Sequence, residues 1–431
     1  MITVEQLRSA IMQRVNSYNQ NDFPIAKRPV STSNLSDSLN QILAEYIISS
    51  FPVPRENISA MDGYAIAHKT DLPKGGIIEI VGESQAGDPY TGTLKAGQGI
   101  RIFTGAVVPD SCDTVVMQEN TNFAYIKDNI DKTEPYDIIL SKAAETDANI
   151  RKQGEEIQQN ELVLQQGKRI NPADISLLAN LGISKVKVFK PLTVGLLATG
   201  DELVALGDKL KSSAQIYNSN TPTLKSLLAP LPIVINDYGI IADDKDQITK
   251  VVTKAMQKCD VLISTAGVSV GDYDYLTTVV EQLGQINHYK VAMKPGKPFV
   301  FGELSQKVEV PVLYFGLPGN PLSTVVGALQ FVIPALWRVS GAAIQEQPMQ
   351  LTLAATLTND ITKSVGRTDF QRGILSKAED GSYQVECCFS QQSHRIKQLS
   401  RANCFIVLAQ ESGNVTSGST VTVQPFPWLH I

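Results

Sequence analysis

The 431-residue chain has only five cysteines, at 112, 259, 387, 388 and 404, and no C-x-x-C pair. An odd count without paired spacing argues against a disulfide framework or a zinc ribbon and fits a reducing compartment. Its four histidines, at 68, 288, 394 and 430, show no ligand spacing, which argues against a His-rich metal site. Charge of one sign is also scarce. Lys and Arg total 38 against 43 Asp and Glu, a net −5, so a nucleic-acid-coating role is not expected. The most apolar stretch, Val325 to Trp337, is interrupted by Gln330 and Pro334. It reads as too short to span a bilayer and is expected to be a buried helix. The opening MITVEQLRSAIMQRV lacks the basic-then-apolar order of a signal peptide, so no membrane partner and a cytoplasmic location are expected. There is no G-x-x-x-x-G-K-[ST], no well-placed G-x-G-x-x-G and no G-x-S-x-G elbow, which leaves P-loop, dinucleotide and serine-hydrolase readings unsupported.

What is present is enough apolar residue, 43%, to rule out wholesale disorder. Thr3 and Gln6 have capping-box spacing ahead of a stripe of Val4, Leu7, Ile11 and Val15, which predicts a first helix. Leu39, Ile42, Leu43, Tyr46 and Ile47 repeat at helical spacing after Ser36 and Asp37, which predicts a second. From Phe51 to about Ser141 the texture becomes Gly- and Pro-rich, with short β-branched runs at Gly76–Val81, Gly99–Phe103 and Asp113–Met117. Helix returns at Asn171, an N-cap followed by Pro172, and stops at Gly182. A helical scaffold (1–50 and 142–190) carrying an inserted β-rich module (51–141) is therefore expected.

From 191 to 341 the pattern is α/β. Apolar runs at Leu192–Ala198, Asp260–Thr265 and Val310–Phe315 alternate with helical stretches at Asn220–Leu228 and Asp246–Lys258. Such runs predict a doubly wound parallel sheet covered on both faces. Short strands after 341 predict a small closed or sandwich β domain, 342–431. The fold class expected is thus multidomain α/β plus β.

Each α/β strand ends in a Gly/Pro loop, where open α/β sheets bind ligands. Gly267 and Gly271, and Gly316 and Gly319, permit close backbone approach. Carboxylates sit at the same strand ends: Asp201 and Glu202, Asp243 and Asp244, Asp272 and Asp274. Around an anionic ligand they would repel it unless a divalent cation such as magnesium intervened. Asp243-Asp244 also reads simply as a helix cap. Lys290, Lys294 and Lys297 lie in KVAMKPGKPFVFG, where prolines flanking Gly296-Lys297 restrict the backbone and fix ammonium groups for an oxyanion. In the last domain Arg367 and Arg372 precede Gln391-Gln392-Ser393-His394-Arg395, and arginine forks suit oxyanions or a surface ion-pair network equally. Asp62-Gly63 reads as a structural turn.

Five motifs occur in one order: Ser59–Ala65 (SAMDGYA), Thr199–Leu203 (TGDEL), 267–274 (GVSVGDYD), Lys294–Phe299 (KPGKPF) and Gly316–Pro321 (GLPGNP). Together they resemble the molybdopterin molybdotransferase family, related to the E domain of gephyrin, over essentially the whole chain. The resemblance implies that molybdate and adenylylated molybdopterin are substrates and that AMP is released with Mg2+. It implies that Glu202 and Asp274 handle the magnesium, and that Gly267, Ser269, Gly271, Pro318, Gly319 and Pro321 shape the pterin-nucleotide pocket. Lys290, Lys294, Lys297, Arg372 and Ser393 would hold phosphate or molybdate. Asp62 and Thr104 would reach the active site of a partner subunit in a homodimer, and Asp243 and Glu156 would complete the acidic set. Three positions depart from the family's pattern: Ala266 where a Gly-Gly pair is common, Asn218 for Asp in Tyr217-Asn218-Ser219-Asn220, and Glu156 for Asp. The rival readings are the upstream molybdopterin adenylyltransferase, itself a possible partner, and a non-catalytic scaffold. The β insertion with Asp62 and the C-terminal β domain speak against the first. The full acidic and lysine set speaks against the second.

Overall fold

The computed structural model describes residues 1–431 except 69, 267–274, 347–349, 389–390, 393–394 and 429–431. The chain forms two compact units, Tyr46–Gln165 and the remainder, Met1–Glu45 with Gln166–Ile431.

In the larger unit the first helix is Val4–Ser17, closed at its start by a reciprocal Thr3/Gln6 capping box. Its stripe of Val4, Leu7, Ile11 and Val15 is buried in the main core with Phe331, Val332 and Leu336. Those partners belong to the apolar segment Pro321–Val339. That helix is 19 residues long with mean hydropathy 1.5, enough by length and composition to cross a membrane, which corrects the expectation that it is too short. Yet 83% of its apolar window is buried inside the protein. Pro334 removes one backbone donor, and a π-helical turn at Ala328–Val332 lies just before it. The helix Pro172–Asn180 starts on Asn171 as expected, with Asp174 completing the box.

The second helix expected from sequence does not form. Leu35–Asp37 makes one 3-10 turn, and Asn40 adopts φ 64°. Beyond it the chain is extended, bridging Ile42 to Arg169 and Leu43 to Val188. Ile42 and Leu43 are buried, whereas Leu39 and Tyr46 are exposed, so the apparent stripe is split between core and solvent.

The α/β region holds a six-stranded sheet in the order Ile233–Ile241, Leu192–Thr199, Val261–Thr265, Val312–Leu317, Pro298–Leu304, Gly284–Lys290. The first four strands are parallel, and the last two join through antiparallel pairings, so that only Pro298–Leu304 runs against the rest. The sheet is therefore mixed rather than wholly parallel. The KPGKP stretch is a short connection, and strands joined without a crossover run antiparallel. In the last domain, strands Leu353–Leu357, Thr368–Lys377, Tyr383–Cys387, Cys404–Leu408 and Thr420–Pro425 pair in a closed ring. Closure leaves no free edge on a small β domain.

The smaller unit is built on a five-stranded sheet. Thr114–Met117, Gly63–Ile66, Gln98–Ile102, Ile77–Ser84 and Tyr136–Ile139 are neighbours in that order.

Candidate functional site

The parallel strands set the site. Strand Leu192–Thr199 is followed in the chain by Ile233–Ile241 on one side, and then by Val261–Thr265 on the other. The connection reverses there, so a crevice is expected outside Thr199 and Thr265. Asp201 and Glu202 follow the carboxyl end of Leu192–Thr199, and Asp243 follows that of its other neighbour, Ile233–Ile241. The Asp243 N–H donates to Asp201 Oδ1 at 3.1 Å, tying the two strand-end loops together. Asp244 accepts from the Gln247 N–H at 2.8 Å and so acts as the cap of the next helix, Lys245–Met256. Gly200 has φ 141°, and a Cβ there would lie 2.5 Å from Glu202 Oε2. The Glu202 carboxylate folds back over that glycine, and the positive φ is what favours glycine there.

The other end of the same edge is basic. Val300 pairs with Gly316, and Pro298 pairs with Lys290. These registers bring Lys290 and Lys297 to the edge where Leu317 ends. Lys290, Lys294 and Lys297 are all exposed. Gly296 turns the loop between them at φ 95°. Strand Met293–Lys294 pairs with Thr368 and Asp369, so the lysine turn and the arginine segment of the last domain are adjacent. Lys294 Nζ lies 4.0 Å from the carboxylate of Asp369, which is 3% exposed. Sequence reasoning did not single out Asp369, although it stands inside the stretch 366–373.

Between the acidic and basic ends lies Pro318-Gly319-Asn320, with Pro321 as the first residue of a helix. The Pro318 carbonyl accepts from Thr324 Oγ1 at 2.7 Å, and the Gly319 carbonyl accepts from Asn220 Nδ2 at 2.8 Å. Ala266 opens the adjoining loop with φ 72°, a left-handed conformation that glycine adopts without cost. Asn218 is buried; its Oδ1 accepts from the Thr221 N–H, and its Nδ2 donates to Thr221 Oγ1. The missing charge is thus replaced by a local cap. Gly267, Ser269, Gly271, Asp274 and Ser393 lie outside the described residues.

Arg372 lies in strand Thr368–Lys377. It is fully buried, and burial lowers its pKa. Its guanidinium donates to the Arg395 carbonyl at 2.9 Å, the Gln392 carbonyl at 3.2 Å and Gln391 Oε1 at 3.2 Å. Among the described residues these bonds tie the guanidinium to Gln391, Gln392 and Arg395.

In the smaller unit the structure brings Asp62 and Thr104 together. Asp62 Oδ1 accepts from the Thr104 N–H at 2.7 Å and from Thr104 Oγ1 at 2.8 Å. These two bonds hold its carboxyl below the usual range. Gly63 is required beside it, since a Cβ would stand 2.0 Å from the Val116 carbonyl oxygen. Glu156 is exposed and lies 3.8 Å from Arg151. Among the described residues no cluster of three or more His, Cys, Asp or Glu converges. All five thiols are free and buried.

Three family profiles match in order. The "MoeA N-terminal region (domain I and II)" covers 2–182, the "Probable molybdopterin binding domain" 195–338 and the "MoeA C-terminal region (domain IV)" 354–426. The molybdopterin molybdenumtransferase of Haemophilus influenzae is 38% identical over 429 residues, covering 100% of both chains. That of Staphylococcus aureus is 34% identical over 92% of this chain and 91% of its own. A molybdopterin biosynthesis MoeA protein of Pyrococcus horikoshii shares the fold, with TM-score 0.78, 22% identity and coverage of 99% and 100%. The chain belongs to the MoeA-type molybdopterin molybdenumtransferases, the transferases of molybdenum cofactor biosynthesis.

Proposed function

We propose that the chain takes adenylylated molybdopterin and molybdate as its two substrates and releases AMP in a magnesium-dependent step. The observation that carries this reading is the distribution of charge along one sheet edge. Glu202 and Asp243 follow the strands at one end, Lys290 and Lys297 lie at the other, and the Pro318–Pro321 loop lies between. Six strands at about 4.8 Å spacing give an edge on the order of 24 Å, long enough for an extended ligand joining a pterin, a pyrophosphate and a nucleoside.

The acidic end offers oxygen donors only. Magnesium takes one or two protein carboxylates plus ligand oxygens and water, so a pre-built cluster of three is not required. Glu202 would hold it with Asp274, and the bound ion would offset charge on the phosphates. The lysines bind and orient the oxyanion as point charges with rotatable donors. Arg372 contributes indirectly, by holding Gln391, Gln392 and Arg395. Asp62, held ionised by Thr104, is an acceptor rather than an acid at neutral pH. We place it at the partner's site in a homodimer, with Glu156 on the same unit. Five free, buried cysteines suit a cytoplasmic setting.

The test is AMP release from adenylylated molybdopterin by the purified protein, with and without molybdate and with and without magnesium. Release that needs both is expected. Consumption of ATP to make the adenylylated compound, or binding without turnover under every condition, would overturn the reading. Sedimentation in the same buffer should give twice the chain mass of 46.8 kDa.

A further inference from the structure

Asn220 begins the nine-residue helix Asn220–Leu228 and is 8% exposed. Its Nδ2 donates to the Gly319 carbonyl at 2.8 Å, in the loop between the acidic and basic ends of the edge. That bond fixes which way round the amide lies. Its Oδ1 is buried and has no hydrogen-bond partner among the described residues. A buried acceptor with no donor is costly, and native proteins rarely keep one without a use. The orientation cannot be reversed cheaply, because a flipped amide would set Oδ1 against the Gly319 carbonyl oxygen. Among the described residues none supplies the donor that would complete Asn220.

We propose that Asn220 is a specificity-determining residue whose Oδ1 accepts a hydrogen bond from the exocyclic amine of the bound heterocycle. This rests on the substrate reading above. Both halves of that substrate carry such an amine, one on the pterin and one on the adenine. A site that holds an acceptor in place rejects the analogue lacking the donor, since the acceptor then stays unpaired. An oxo group in the amine's position would also set two acceptors face to face.

The experiment uses two pairs of probes that differ in amine against oxo, with the adjoining ring nitrogen changing from acceptor to N–H: pterin with lumazine, and AMP with inosine monophosphate. Dissociation constants are measured calorimetrically for the full-length wild-type chain and for Asn220→Ala. In one pair the wild type should favour the amine about tenfold, and Asn220→Ala should abolish that preference by weakening the amine alone. The pair that responds names the half of the substrate being read. A purely bracing role through Gly319 would weaken both members equally, and that result overturns the proposal. If Asn220→Ala does not fold, the wild type still decides, because no amine preference in either pair is refuting by itself. Failure of the substrate reading is different in form: the wild type then binds neither pair nor molybdopterin, and the inference falls with it.

Discussion

Replacing Arg372 by alanine should cost stability before it costs chemistry. The side chain is fully buried, and among the described residues its guanidinium meets three acceptors: the carbonyls of Gln392 and Arg395 and the Gln391 side-chain oxygen. Hydrogen bonds to a charged donor contribute about 1.5–3 kcal/mol each, and their acceptors share that loss when the donor is removed. Partial resolvation of the exposed side of the segment reduces the sum. The expected penalty is about 3–5 kcal/mol, at the upper end for one substitution. Arg372→Lys should recover less than half, because an ammonium cannot span three acceptors arranged for a planar fork. The assay is the denaturant midpoint, combined with hydrogen exchange of the peptide covering 395–401. Protection there should fall with the midpoint in both variants. An unmoved midpoint in Arg372→Ala, together with lost molybdate binding, would refute the brace and return the guanidinium to the ligand.

Ala266→Gly removes a left-handed alanine that costs about 1–2 kcal/mol, against about 0.5–1 kcal/mol of added chain entropy in the unfolded state, so a small gain is expected. A destabilised Ala266→Gly in urea would show that the methyl group packs better than the backbone strains. Thr104→Ala should raise the Asp62 pKa toward an ordinary carboxylate, read by carbon-detected NMR titration; no movement would mean that the two Thr104 bonds do not set it. The folded pKa of Asp62 is depressed, so its stabilisation is present above the unfolded value and is lost as pH falls through the folded value. The thiols of Cys387 and Cys404 are pushed up to about 11 and about 12 by burial. Iodoacetamide at pH 8 should therefore leave both unmodified until the chain unfolds, as mass spectrometry would report.

The apolar runs at 192–198 and 260–265 were legible because a parallel strand buried on both faces has few positions for polar residues. The run at 39–47 was misread for a related reason. Two adjacent buried residues, Ile42 and Leu43, combine with exposed Leu39 and Tyr46 to imitate a helical stripe. The extended conformation is settled by partners at Arg169 and Val188, well over 100 residues away, which no local window contains. Asn40 at φ 64° was the local sign, since asparagine tolerates that region better than most residues. The burial of Arg372 was not legible for want of its partners, which lie about twenty residues downstream. Its neighbour two positions back, Phe370, is buried in the main core. In a strand, that two-residue spacing places both side chains on one face.

The charged groups themselves were legible as strand-end residues, but their arrangement was not. Carboxylates and lysines on one surface ordinarily pair and cancel. Here the strand carrying Asp201 and Glu202 is three places from the strand that follows Lys297, about 14 Å at the usual spacing. That distance exceeds the Debye length of about 8 Å at physiological salt, so the two ends hardly screen one another. Lys294 is the exception, with Asp369 at 4.0 Å. Two strands and a Gly/Pro loop separate the remaining acids and bases, leaving each end its own charge. The separation depends on the antiparallel hairpin having joined the far side of the sheet. Had it paired beside Ile233–Ile241, the lysines would face Asp243 directly and the edge would be neutral.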